Sequence, residues 1–245
     1  MKNLLAILFI CFSFSLSAQQ PFERMEYILH YGFIRGGKAV LTATDTTYNN
    51  AQAIHFQLEG NTTGLANKLF GVHDIYESVV DPETYLPYKA IRNIKEQKYR
   101  YYNEAFFYND QDSVFSQRSG GKKVPHNIVD MLGAFFYLRH NRFLDKLDKG
   151  EEFTIPIFHA DEYFIMTAKF LGTEKIKSDM GTKTCYVLTP VVRKGKLLKR
   201  SDGLKFYITK DKNRIPLLLE FDMFIGALKC DLVSYKINGK EQIRK

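Results

Sequence analysis

Histidines beside acidic residues are the groups in this sequence whose types and spacing could do chemistry. His73 precedes Asp74, and His159 precedes Asp161 and Glu162, so both places offer the imidazole and carboxylate ligands of a divalent metal. Neither place has the paired spacing of a known metal motif, and scattered histidines are usually structural or solvated. We therefore predict no metal and no other cofactor.

Catalytic motifs are absent from the sequence. It contains no G-x-S-x-G, H-E-x-x-H or C-x-x-C, and no G-x-x-x-x-G-K-[ST] phosphate loop. Gly32, Gly36 and Gly37 lie close together, but no helix follows them. We interpret this segment as a turn or bulge between strands that uses positive φ. No residue is singled out as catalytic.

Six aromatic residues lie between positions 99 and 108, beside the cations of Lys95, Lys98 and Arg100. One interpretation is a sheet core whose tyrosine hydroxyls reach its edge. The other is an apolar groove with polar edges, suited to a lipid or an acyl chain. For the second interpretation, the candidate ligand-binding residues are Tyr99, Tyr101, Phe106 and Tyr108.

A basic run occupies residues 193–200. The simplest interpretation is a solvated hairpin loop. The alternative is contact with anionic headgroups or glycans, where each cation near the surface contributes about 1 kcal/mol. The cations that would make this contact are Arg193, Lys194, Lys196, Lys199 and Arg200.

Hydrophobic residues alternate with more polar ones through most of the chain. The alternation is clear at 27–33, 39–43, 54–58, 204–208 and 217–221. A period of two buries one face of a strand, which predicts an antiparallel sheet. Turn signals separate the runs at Gly36-Gly37, Asn49-Asn50, Asp81-Pro82, Asn109-Asp110, Gly120-Gly121, Lys212-Asn213 and Asn238-Gly239. We predict a mainly β fold, a large curved antiparallel sheet or partial barrel with one helix on or in its concave face.

Residues 127–140 have helical spacing instead, with apolar side chains three or four positions apart. Asn127 is suited to cap the first turn, while Asp130 and Arg139 complement the two ends of the helix dipole. We expect a structural helix in the concavity of the sheet. The alternative is a movable lid over a ligand groove. The residues expected to be among the most buried are Leu132, Phe135 and Phe136.

The N-terminus has the order of a secretory signal. Lys2 is positive, residues 4–16 are mostly apolar, and Ser17 and Ala18 are small. We predict a signal peptide at 1–18 and a single β-rich domain at 19–245. Leu8-Phe9-Ile10, before Cys11, lack the small pair that lipoprotein processing prefers, so we predict a soluble protein and not a lipidated one. The ending Ser-Ala-Gln-Gln resembles signals of Bacteroidota-type bacteria, which implies the periplasm. Cleavage removes one cation and leaves 34 against 27 carboxylates, a net charge of +7. Nucleic acid is not an expected partner of such a chain.

Two cysteines remain after cleavage, Cys185 and Cys230. An even pair in an oxidising compartment suggests a disulfide. Both fall in predicted strands, so they can bond only if those strands are neighbours. Two buried free thiols are the alternative.

Several segments together resemble the domain of unknown function 3108 family of exported bacterial proteins. The resemblance covers about residues 24–237 and rests on the order and spacing of 27–39, 74–87, 130–139, 181–190 and 208–229. It implies a curved antiparallel sheet with a helix in its hollow, similar in outline to the periplasmic lipoprotein carriers, and no established catalytic residues. The sequence departs from the family where Trp and Ser are common, because 206–209 reads Phe-Tyr-Ile-Thr and the chain has no Trp.

Three functions remain open at this point. The first is a non-enzymatic periplasmic protein whose curved sheet holds a hydrophobic or lipid-like envelope ligand. The second is a structural or interaction module that docks an envelope protein or an anionic membrane surface. The third is an enzyme acting on an envelope glycan or lipid, which would need histidine and carboxylate groups converging in a deep cleft.

Overall fold

A computed structural model of the chain describes residues 21–141, 143–191, 203–222 and 226–242. Most of these residues form sixteen strands of one sheet, and two short α-helices interrupt them. The elements in chain order are β1 Glu23–Tyr31, β2 Ile34–Tyr48, β3 Ala51–Thr62, α1 Gly64–Phe70, β4 His73–Val80, β5 Pro87–Glu96, β6 Tyr99–Tyr108, β7 Ser113–Ser116, β8 Gly120–Lys123, β9 Val129–Asp130, α2 Met131–Asn141, β10 Glu152–His159, β11 Glu162–Ser178, β12 Gly181–Pro190, β13 Leu204–Thr209, β14 Pro216–Asp222, β15 Ala227–Ile237 and β16 Lys240–Glu241.

Neighbouring strands pair antiparallel, in the order β8-β7-β6-β5-β4-β3-β2-β1-β15-β14-β13-β12-β11-β10-β9. The exceptions to the simple path are β16, which pairs with β15, and β9, which runs parallel to β10. The predicted curved antiparallel sheet is thus confirmed. Alternating burial is clear on β1, where the buried side chains are those of Glu23, Met25 and Tyr27.

The sheet rolls up until β10 lies against β6. Phe158 of β10 meets Phe107 of β6 edge to face, with 6.0 Å between ring centroids. Asp130 of β9 reaches Ser78 of β4, whose hydroxyl donates a hydrogen bond of 2.5 Å to it. The concave face therefore becomes the interior of the molecule.

Helix α2 fills that interior. Leu132 and Phe136 join a core cluster that includes residues of β1 and β12 to β15, and Phe136 stacks on Phe56 of β3 with 3.5 Å between centroids. Ala134 and Leu138 face a second cluster formed with β10. Leu132 and Phe136 are buried as expected, whereas Phe135 is only half-buried between two clusters.

The start of this helix corrects the sequence prediction. Residues 129–130 form the strand β9, so α2 begins at Met131 and not at Asn127, which has a φ of 55°. The cap is Asp130, whose Oδ1 accepts hydrogen bonds of 2.9 Å from the backbone N–H groups of Leu132 and Gly133. Arg139, in the last turn of α2, does more than complement the helix dipole, because its guanidinium also pairs with the Glu23 carboxylate.

The glycine-rich segment forms both a turn and a bulge, as interpreted: the turn is at Gly32, with a φ of 57°, and Gly36 is the extra residue of a bulge between β1 and β2. Only the turn signal at Gly36-Gly37 is misplaced. Of the two alternatives for Cys185 and Cys230, the structure has free thiols, because β13 and β14 separate the strands that carry them. Within the part of the chain that is described, no helix has the length and hydrophobicity needed to cross a bilayer.

Candidate functional site

The turn between β10 and β11 closes the rolled sheet through Asp161. Its carboxylate accepts hydrogen bonds from Ser116, from Tyr101 at 2.8 Å and from Asn103 at 2.9 Å. Its backbone carbonyl accepts one from the Lys122 ammonium group. Burial alone would raise the pKa of Asp161, but the donated hydrogen bonds outweigh it and lower that pKa.

Asp161 is one of the residues that the sequence analysis considered as a metal ligand, and these hydrogen bonds occupy its carboxylate. Glu162 is exposed beside it, and His159 stacks on Tyr76 with 6.5 Å between ring centroids. Burial and the Arg92 charge lower the pKa of His159, which favours the neutral form of its ring. In the described ranges, no three His, Cys, Asp or Glu side chains lie close enough to hold a metal ion.

A small cavity lies behind this turn, between α2 and strands β4 to β6. Asp130, His159 and Asp161 are among its lining residues, so it brings acid–base groups together. Its volume of about 30 Å³ admits one or two water molecules. The groups around it act structurally, since Asp130 caps α2 and Asp161 joins two strand pairs.

The four aromatic candidates of β6 do not meet in one groove. Tyr101 points inward, where its ring lies 4.8 Å from the guanidinium of Arg92. Phe106 and Tyr108 point to the opposite face, and Tyr99 and Tyr108 are exposed at the two ends of the strand. The four residues therefore do not share one groove, because a strand places odd and even positions on different faces. Phe106 and Tyr108 do line a cleft of about 420 Å³ together with Tyr48 and Tyr88. The basic candidates at 193–200 lie outside the described residues.

A different feature emerges where α1 meets two strand turns. Ala66 of α1 approaches Gly36 of β2, where a Cβ built on the glycine would lie 3.6 Å from the Ala66 Cβ. The N–H of Thr63 donates a hydrogen bond of 2.9 Å to the Gly36 carbonyl. The side-chain amide of Gln97, in the turn between β5 and β6, donates one of 2.6 Å to the Leu69 carbonyl. These contacts bring α1, the β1–β2 turn and the β5–β6 turn together.

Large hydrophobic side chains are exposed at this meeting point. Phe33, at the β1–β2 turn, is 96% exposed, and no residue of α1 is buried. We call the following five residues the apolar rim: Phe33, Ile34, Leu65, Leu69 and Phe70. Their exposed fractions run from 57% to 96%. A soluble monomer rarely exposes a cluster of this kind unless the cluster binds something.

The segments that carry the apolar rim are basic. Residues 31–38, 63–74 and 95–100 together hold six lysines and arginines against two carboxylates, a net charge of +4. Among the described residues, Arg35, Lys68 and Lys98 form no ion pair, and Arg100 donates only to backbone carbonyls. Asp74 accepts a hydrogen bond of 3.0 Å from the Lys95 N–H. The surface thus combines apolar side chains with free positive charge.

A cleft of about 330 Å³ lies beside the start of β1 and the end of α2. Three of its polar side chains pair with one another: Arg139 donates two hydrogen bonds of 2.7 Å to Glu23, and Tyr235 donates one of 2.8 Å to the same carboxylate. Burial alone would lower the pKa of Arg139, but the hydrogen bonds and charge of Glu23 outweigh it and raise that pKa. This network joins β1, α2 and β15 and uses both oxygens of the Glu23 carboxylate.

The rolled antiparallel sheet with a helix in its interior places the molecule in a β-barrel-like class of folds. A crystal structure described as a beta-barrel-like protein of domain of unknown function DUF1849, from Brucella abortus, matches with a TM-score of 0.56 and 10% identity, over 91% of this chain and 100% of that one. A DUF1089 family protein from Pseudomonas aeruginosa matches with a TM-score of 0.35 and 9% identity, over 87% and 94% of the two chains.

The family follows from the sequence itself. The family model described as Protein of unknown function (DUF3108) matches residues 26–233, and the chain belongs to that family. The resemblance noted from the sequence is thereby confirmed. A search of the curated proteins finds no match.

Proposed function

We propose that the protein is an exported, non-enzymatic docking module of the bacterial cell envelope, and that the apolar rim is its docking surface. One observation carries the proposal. Apolar side chains of α2 fill the hollow of the sheet, while Phe33 and the apolar side chains of α1 face outward. The signal-like N-terminus supports export, since it has the charge, apolar core and small residues of a cleavable signal.

A carrier of a hydrophobic ligand is less well supported. A carrier needs an open apolar hollow of several hundred Å³. Here Phe136 and Leu132 occupy the hollow and join a cluster formed by strands from both halves of the sheet. The cleft beside Glu23 and Arg139 is large enough for a small ligand, but a buried ion pair lies in its wall. Ligand binding would therefore cost the desolvation or rearrangement of that pair.

An enzyme is also less well supported. The small cavity lined by Asp130, His159 and Asp161 has room for a water or two and no substrate. In the larger cleft of about 510 Å³ beside the β1–β2 turn, His30 already pairs with the Asp231 carboxylate. Asp161, the acidic group nearest to His159 in sequence, accepts hydrogen bonds from three side chains that lie on other strands.

Fractionation of cells tests the docking proposal without assuming the kind of partner. The full-length gene is expressed in its own host, and the mature chain is followed through gentle lysis and sedimentation of the envelope. We expect the wild-type chain to sediment with the envelope and the double variant Phe33→Ser/Leu69→Ser to be released. The control is Tyr108→Ser, since Tyr108 is 46% exposed at the far end of β6.

The control variant should sediment like the wild type, because β6 places Tyr108 about 30 Å from the end near the rim. Equal release of wild type and double variant, or equal retention of both, would contradict the assignment of the rim as the docking surface.

A further inference from the structure

We propose that the apolar rim docks on an anionic phospholipid surface, with Phe33 and the apolar face of α1 entering the interfacial region of the bilayer. This inference rests on the proposed function, because it names the partner of the same surface. It depends on three features: the outward direction of the apolar side chains, the exposure of the large side chains of α1, and the positive charge of the surrounding segments.

The direction of the apolar side chains is outward. Phe33 follows Gly32 in the tight turn between β1 and β2, so its ring projects from the tip of a strand pair. Leu65, Leu69 and Phe70 are 70%, 57% and 57% exposed. The spacing of four between Leu65 and Leu69 places them on one side of the helix. An interfacial helix inserts its apolar side in this way.

The contacts that hold α1 do not involve its large side chains. Ala66 packs on Gly36, and Gln97 donates a hydrogen bond to the Leu69 carbonyl. Thr62 donates one to the Asn67 side chain, and no side chain caps the first residue of the helix. A helix of seven residues is unstable in water unless other groups hold it. The large apolar side chains of α1 do not serve the core of the molecule, since none of its residues is buried. Insertion into a bilayer would bury these side chains and explain why they are apolar.

The charge around these side chains matches an anionic surface. The three segments that form the site carry a net charge of +4, and their cations flank the apolar residues in sequence: Arg35 follows Ile34, and Lys68 precedes Leu69. Long basic side chains that surround an apolar patch can reach phosphate groups while the patch enters the acyl region. A purely apolar protein partner would leave these cations without counter-charges, so the charge favours lipid over such a partner.

Co-sedimentation with vesicles tests the inference. The mature chain is purified from the periplasm of a host that expresses the full-length gene. It is mixed with large vesicles of phosphatidylcholine alone or of phosphatidylcholine with about one third phosphatidylglycerol. We expect at least tenfold tighter binding to the anionic vesicles, and weaker binding at high salt, since salt screens exposed charges.

Two variants separate the apolar from the electrostatic part. Phe33→Ser/Leu69→Ser and Arg35→Gln/Lys68→Gln/Lys98→Gln should each weaken binding to anionic vesicles at least tenfold. Both sets change exposed residues, so their denaturation midpoints should equal that of the wild type, as should the binding of Tyr108→Ser. Equal melting shows that any loss of binding is not a loss of folding.

The outcomes also separate this inference from the proposed function. If the wild-type chain ignores anionic vesicles, or if the rim variants bind them as well as the wild type does, the lipid assignment is overturned. If the rim still determines envelope association in cells, the partner is a protein and the docking function stands. If the rim has no effect in either experiment, both proposals fail.

Discussion

Phe136 is the residue on which the filled interior depends most directly, and its truncation gives a quantitative test. The ring is 2% exposed and lies parallel to Phe56, with 3.5 Å between centroids and 6° between planes. It also meets Phe135 edge to face at 5.1 Å. A buried aromatic side chain covers about 150 Å² or more of apolar surface, which corresponds to about 4 kcal/mol at about 25 cal/mol per Å².

We therefore expect Phe136→Ala to lower the free energy of unfolding by about 3–5 kcal/mol. The slope of that free energy against urea is about 3 kcal/mol per molar for a large domain, so the midpoint should fall by more than about 1 M. Phe135→Ala should cost less, because Phe135 is half-buried. Phe33→Ala should change stability by about 0.5 kcal/mol or less, because its ring is 96% exposed.

Equilibrium urea unfolding, followed by far-UV circular dichroism, measures all three variants under the same conditions. A Phe136→Ala midpoint within experimental error of the wild type would refute the filled interior. Such a result would indicate that α2 is a movable lid over an open hollow, and it would restore the carrier function that the sequence first suggested.

Three further predictions concern groups with unusual environments. The folded-state pKa of Asp161 is lowered, so its contribution to stability exists above about pH 4 and is lost as the pH falls through the folded value. Acid unfolding of Asp161→Asn should consequently show a smaller loss of stability below pH 4 than the wild type. Burial raises the folded-state pKa of Asp130, although Ser78 and two backbone N–H groups donate hydrogen bonds to its carboxylate. The stability that this group contributes is therefore present below about pH 4 and is lost as the pH rises through the folded-state pKa. Asp130→Asn, which can keep the cap, should gain stability relative to the wild type as the pH rises above about 4, whereas Asp130→Ala should cost about 1–2 kcal/mol in urea melts at pH 7. Burial raises the pKa of Cys185 to about 11 and that of Cys230 to about 12, so both should react slowly with a thiol reagent in the native protein and rapidly in denaturant. A count of zero thiols in denaturant, on protein purified without reductant, would show that the disulfide forms after all.

The sheet could be predicted because its signal is local and repeated. Alternation along β1 to β3 is visible in the sequence, and each of these strands buries the face that the alternation indicates. β13 and β14 also form strands as the alternation predicts, but each buries consecutive residues instead of one face. The start of α2 could not be predicted in the same way. Val129 and Asp130 fit a helical period, yet they pair with Ile157 and Phe158 of β10, and that pairing depends on a strand that comes later in the chain.

The candidate site was largely hidden from the sequence. The aromatic density of β6 suggested a groove, but its two faces divide the aromatic residues between the interior and solvent. Residues 64–70 of α1 are too short for a clear helical pattern, and their hydrophobic residues would normally indicate a core. Only the structure shows that Leu65 and Leu69 are exposed and that their helix packs, through Ala66, against Gly36 in the strand that follows Phe33.

The most direct test of the docking account uses tryptophan fluorescence. The chain has no tryptophan, so Phe33→Trp places a single probe at the apolar rim. Tyr108→Trp places the matched probe at the far end of β6. When vesicles containing phosphatidylglycerol are added, the emission of Phe33→Trp should shift to the blue and that of Tyr108→Trp should not. Unchanged emission from Phe33→Trp, or an equal shift from both probes, would contradict the account.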